Sequence, residues 1–100
     1  MAAIASPGAD SAVSGRVEVL GTAWSPRFSA YRLENQRLVG GQWSTVREIT
    51  VREPVQDGRL DEWDTSTLAN GWYSLLLTVL TPSGVDAQTR TTLTVQNPGR

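Results

Sequence analysis

Four carboxylates stand close together in the second half of the chain: Asp57, Asp61, Glu62 and Asp64. Carboxylates in such a group can ligate calcium through their oxygens or, as a pair, cleave a glycosidic bond. Their spacing matches no calcium-loop pattern, and a glycosidase needs a longer chain to build its cleft. Turn capping and a solvated strand face are the simpler account. The chain has no His and no Cys. That removes Ser-His-Asp and Cys-His constellations, most zinc sites and any disulfide framework. No Gly-rich phosphate loop leads into a helix. The sequence therefore offers no catalytic residues, no cofactor site and no metal site, and predicts a chain that is not an enzyme in its own right.

The tryptophans are the more informative residues. There are four of them, Trp24, Trp43, Trp63 and Trp72, more than a small core needs. Trp24 and Trp72, with Leu76 and Leu80 on the outward face of their strand, form a candidate exposed apolar patch. Aromatic faces stack on sugar rings, and apolar patches dock on neighbouring domains. The plainer alternative is that both rings pack over the edges of their own domain or against the N-terminal segment. An outward Leu76 favours a docking surface over a sugar platform.

These side chains must be positioned by strands. From Trp72 to Leu80, Tyr73, Leu75, Leu77 and Val79 share one face, and Trp72, Ser74, Leu76, Thr78 and Leu80 share the other. This period of two marks a strand with a buried face. Gly15 to Leu20 reads the same way through Val17 and Val19, and the Gly21–Pro26 segment after it predicts a turn or bulge. Phe28 to Asn35 sets Tyr31 and Leu33 inward. Trp43 to Val51 is less regular, because Val46 is out of parity with Trp43, Thr45, Arg47 and Ile49, which predicts a bulge or an edge strand. Asp57-Gly58 is a hairpin-type turn dipeptide. Leu60 and Trp63 cannot share a face of a regular strand, and Asp64 is placed to cap the turn through Thr65-Ser66-Thr67. The last strand runs from about Val85 to Val95, with Val85, Ala87, Thr89, Thr91, Leu93 and Val95 on one face. Asn97-Pro98-Gly99 ends the domain. No helix of normal length finds an apolar stripe.

The chain of 100 residues suits one domain. Residues 1–14 are small, Gly- and Pro-containing and aperiodic, and read as a linker or disordered segment before a domain spanning 15–97. Met1 to Ala5 lacks the basic and apolar regions of a signal peptide. No run approaches the roughly 18 apolar residues of a membrane helix. Nine arginines and no lysine face ten scattered carboxylates, for a net charge of −1. Without a basic stripe, neither nucleic acid nor an anionic membrane surface is an expected partner. Several short strands separated by turns predict an all-β antiparallel sandwich of about seven strands, with its termini at opposite ends.

Val17-x-Val19-x-Gly21-Thr22-Ala23, Phe28-x-x-Tyr31-x-Leu33-Glu34, a tryptophan at 43, Pro54-Val55-x-Asp57-Gly58-x-Leu60, Trp63-Asp64-Thr65-Ser66-x-Leu68, Gly71-x-Tyr73-x-Leu75-x-Leu77-x-Val79 and Leu93-x-Val95-x-Asn97 together resemble a bacterial Ig-like or fibronectin type III-like module. The resemblance covers residues 15–97. Such modules are accessory domains of exported bacterial proteins, among them the C-terminal extensions of bifunctional penicillin-binding proteins, surface lipoproteins and secreted proteases. The resemblance implies that Tyr73 is a tyrosine-corner residue, its ring buried and its hydroxyl bonded to upstream backbone. It implies that Leu68 plugs the core below it, and that Trp63 and Trp43 are core or core-edge aromatics. Trp24 and Trp72 depart from the pattern. The function it implies is that of a monomeric, extracytoplasmic spacer and interaction domain, whose partners are neighbouring domains of its own polypeptide or another envelope protein. The alternative is a module that binds cell-wall or extracellular glycan through exposed tryptophans.

Overall fold

The computed structural model describes residues 1–98; Gly99, expected within the closing segment, lies outside them. The elements are strands β1 (Ala2–Ser6), β2 (Ala12–Val13), β3 (Arg16–Ala23), β4 (Ala30–Val39), β5 (Gln42–Val51), β6 (Val55–Asp64), β7 (Gly71–Thr81) and β8 (Gly84–Val95). They form two sheets, ordered β1-β3-β6 and β2-β8-β7-β4-β5. The fold is thus all-β and sandwich-like, with eight strands where about seven were expected. The eighth is the two-residue β2.

The inward faces meet in one core. It contains Val17 and Val19 from β3, Tyr31 and Leu33 from β4, Leu60 and Trp63 from β6, Tyr73, Leu75, Leu77 and Val79 from β7, and Leu93 and Val95 from β8. Each of these large apolar side chains contributes about 1.5–3 kcal/mol on leaving water. Trp63 and Tyr73 meet edge to face, with ring centroids 6.0 Å apart. The Tyr73 hydroxyl donates to the Ala69 carbonyl at 2.8 Å. Its ring is buried and Leu68 packs against the core, the arrangement expected of both residues. Asn97 fastens the same corner, its Nδ2 donating to the carbonyls of Thr65 at 2.7 Å and Leu68 at 3.1 Å.

Bulges account for most departures from the sequence reading. Val19 opposes Asp61 while Leu20 opposes Arg59, so Leu60 is an extra residue in β6. The half-step it introduces lets Leu60 and Trp63 both point inward. Asp57-Gly58 is not a hairpin turn. It lies within β6, with Asp57 at φ 49°. The chain continues alongside β3 on both sides of it, so the dipeptide serves a bulge, anchored by the Asp57 amide donating to Thr22 Oγ1 at 3.1 Å. In β8, Val79 opposes Ala87 but Leu80 opposes Val85, so Asp86 is the extra residue. Val85 is thereby turned away from the core and is exposed.

The N-terminal segment also differs from the expected linker. β1 pairs antiparallel with β3, and β2 pairs parallel with β8, so residues 2–13 join both sheets. Gly21 of β3, which has no Cβ, is what lets β1 come so close. A Cβ on Gly21 would stand 2.0 Å from the Ala3 carbonyl oxygen. β1 and β2 follow one direction, so the chain makes seven legs in all. Ala2 pairs with Ala23 at one end of the fold and Val95 with Gly71 at the other.

The open side between edge strands β5 and β6 is closed by polar contacts between sheets. Arg47 on β5 grips Asp61 on β6 with both guanidinium nitrogens and also donates to Asn35 Oδ1 at 3.1 Å. The bond to Asp61 raises the Arg47 pKa further above its ordinary range, against a lowering by burial. Beside them, the Tyr31 hydroxyl donates to the Leu60 carbonyl at 2.6 Å.

Candidate functional site

The outward face of the larger sheet carries the most exposed large aromatic. Trp72 opens β7 and is 45% exposed. Its partner on β8 is Thr94. On its other side β4 places Arg37 opposite Tyr73, so the next register position sets Leu38 beside Trp72. Leu38, 40% exposed, is paired in turn with Trp43 on β5. Trp72, Leu38 and Trp43 thus form an apolar row across three adjacent strands.

Trp43 is a correction to the resemblance, which implied a core or core-edge aromatic; it is half-buried on the outward face. Asn35 pairs with Arg47 and Gln36 with Thr45, leaving Val46 as a bulge. The irregularity at Val46 was legible. Its consequence was not: Arg47 and Ile49 keep the inward face, while Trp43 and Thr45 are turned outward. The same bulge brings Leu38 and Trp43 together, a pair that the sequence reading did not assemble.

A polar row runs parallel to the apolar one, one step further along the strands: Thr92, Ser74, Gln36 and Thr45. Ser74, Gln36 and Thr45 are bonded to one another. Gln36 Oε1 accepts from Ser74 Oγ at 3.1 Å and from Arg90 at 2.9 Å. Gln36 Nε2 donates to Thr45 Oγ1 at 3.3 Å, and Thr45 donates to Glu34 Oε1 at 3.0 Å. Arg90 reaches from β8 across the sheet to lie 5.7 Å from the Trp43 ring centroid, within the range of a cation–π contact. This network covers Ser74, which is fully buried although it points away from the core. The register sets Arg32, Glu34, Glu48 and Arg90 on this face. Two charges of each sign leave it neutral.

The remaining candidate residues divide between two ends of the fold. Leu76 and Leu80 share the outward face of Trp72 but are half-buried, Leu76 lying between Arg90 and Glu34. Trp24 follows β3 at the opposite end, where Ala23 pairs with Val55, and is 37% exposed. With Met1, Thr22, Gln56 and Asp57 it lines a separate hollow of about 290 Å³. Both tryptophans are therefore accessible, but the four residues do not form one patch.

Three of the four carboxylates serve the scaffold. Asp61 is held by Arg47, while Glu62 pairs with Arg16 at 3.2 Å and Arg59 at 3.4 Å. Asp64 Oδ1 accepts the Ser66 amide at 2.9 Å, the turn cap expected of it. Bonding to the Ser66 side chain and amide holds the Asp64 carboxyl below its usual range, with Arg16 adding to the effect. Asp57 is exposed in its bulge. Among the described residues no group of three or more potential ligands is arranged to hold a metal ion. Compared with known proteins, the chain matches no family model, no curated protein and no solved structure.

Proposed function

We propose that this chain is a non-catalytic accessory module of the Ig-like or fibronectin type III-like kind. It belongs to a larger exported bacterial protein of the cell envelope, such as a bifunctional penicillin-binding protein. It spaces its neighbours and makes contact through the outward face of the larger sheet. The observation that carries this reading is the exposure of Trp72 and Leu38 on the outward face of the larger sheet, with the half-buried Trp43 paired to Leu38. A surface of that kind is kept in contact with something else. The Tyr73 corner bond supports the choice of module, and the placement of the chain ends at opposite poles of the fold suits a spacer.

Hydroxyl-radical footprinting of the isolated domain and of the longer protein on intact cells tests this. Trp72 and Leu38 should lose labelling in the longer protein, while other exposed side chains keep theirs. Equal labelling of Trp72 in both forms would remove the contact function.

A further inference from the structure

We infer that two copies of this chain associate through the second half of β5, joining their larger sheets edge to edge about a two-fold axis at Thr50. This goes beyond the accessory-module reading and does not depend on it, and it puts a dimer in place of the monomer that the resemblance implies. The strands that end the two sheets are β1, β6, β2 and β5. β2 has two residues, β1 is interrupted by a register shift between Ile4 and Ser6, and β6 carries bulges along its length. β5 differs. Beyond the bulge at Val46, its register against β4 runs unbroken from Arg47 to Val51. An edge strand leaves the N–H and C=O of every second residue without a partner in its own sheet, which makes it a template for another strand.

The order of charges along this edge selects the partner. Residues 47–53 read Arg-Glu-Ile-Thr-Val-Arg-Glu, a run that is its own complement when laid antiparallel. With Thr50 opposite Thr50 of the second copy, Ile49 meets Val51, Glu48 meets Arg52 and Arg47 meets Glu53. Every encounter occurs twice by symmetry, so an apolar centre is flanked on both sides by opposite charges. A two-fold at Ile49 or Val51 leaves these charges opposite neutral residues. One at Glu48 or Arg52 sets like charges face to face. Charges on an edge ordinarily discourage pairing; here they favour one register with one partner. Arg52 and Glu53 follow the end of the strand in a bend and are exposed, and their long side chains have one inter-strand gap of about 5 Å to cross.

A single copy leaves these groups unmatched. Within its own sheet Glu48 lies opposite Glu34, and like charges directly opposite one another destabilise a sheet. The neighbouring cation, Arg32, is engaged by Glu34 at 3.6 Å. Glu48, Arg52 and Glu53 are exposed, and among the described residues none of the three makes an ion pair. Ile49 and Val51 pack against the core yet stay half-buried at the sheet edge, where the second copy would cover them. The joined sheet has ten strands, five from each copy, with both outward faces on the same side.

The test is sedimentation equilibrium over a range of protein concentrations, at low and at high salt, with near-ultraviolet circular dichroism to check that each variant is folded. Wild type should form a reversible dimer whose Kd rises with salt. Glu48→Arg puts like charges at the contact with Arg52, and Arg52→Glu puts them at the contact with Glu48. Each should weaken association by about tenfold or more. An equimolar mixture of the two variants should recover it, because each new charge then faces its opposite across the axis. A change that merely disturbed the fold would not be repaired by mixing. A wild type that stays monomeric up to its solubility limit, single variants that associate as tightly as wild type, or a mixture no tighter than its components would overturn the inference. Trp72 lies on the outward face away from this joint, so its footprint is decided separately.

Discussion

The Arg47–Asp61 pair gives the sharpest test of how the two sheets are held together, because its partners are unequally buried. The Asp61 side chain is 9% exposed and the Arg47 side chain 37%. Arg47→Met keeps most of the apolar stem but strands a carboxylate between the sheets. Breaking a buried pair in this way costs about 3–5 kcal/mol, and the half-exposed position of Arg47 argues for the lower end, about 3 kcal/mol. Asp61→Asn does the reverse. The guanidinium can turn towards water, and the amide oxygen still accepts a bond, so the loss should be near 1 kcal/mol. The double variant has no stranded charge and should be more stable than Arg47→Met alone. Urea unfolding followed by tryptophan fluorescence, to which buried Trp63 contributes, reads all three differences. Arg47→Met costing no more than Asp61→Asn, or a double variant whose loss is the simple sum, would refute the reasoning.

Two further outcomes follow from the core and its corner. Tyr73→Ala should cost about 3–5 kcal/mol, as other large aromatic truncations do, and Tyr73→Phe about 1 kcal/mol for the bond to Ala69; a loss under about 1 kcal/mol for the alanine variant in urea melts would take Tyr73 out of the core. Burial, and then the negative charge of Asp61, raise the Tyr31 hydroxyl above its ordinary pKa. The native state therefore keeps this proton to higher pH than the unfolded chain does, so its contribution is complete below about pH 10 and is lost as pH rises through the folded-state value. Tyr31→Phe should flatten the decline of stability on the alkaline side, and an unchanged slope in urea melts would show that Tyr31 does not contribute to it.

Much of this protein is local in origin, and local information is what a sequence carries plainly. Strict alternation from Tyr73 to Val79 placed β7 and its buried face, because the pleat of a strand sends neighbouring side chains to opposite sides. Asp64 could be assigned to its turn because its partner Ser66 lies two residues on, and the resemblance placed Tyr73 and Leu68 at a corner, whereas the part Asn97 plays there spans about thirty residues and was not read. The absence of His and Cys removed whole classes of chemistry without reference to any fold.

Where a strand changes face was decided only in three dimensions. A bulge shifts parity by one residue, and its position depends on the partner strand rather than on the bulged one. That shift put Trp43 outside beside Leu38, turned Val85 into solvent and reconciled Leu60 with Trp63. The N-terminal residues show the same division. Ala2 to Ser6 have little tendency to form a strand by themselves, and they pair because Gly21 leaves room against β3. The clamp between Arg47 and Asp61, and the two rows on the outward face, join residues from different strands. Their spacing along the chain carries no trace of their distance in space. The sequence determined which side chains the protein would have to bury, and the pairing of its strands decided which of the others would meet on the surface.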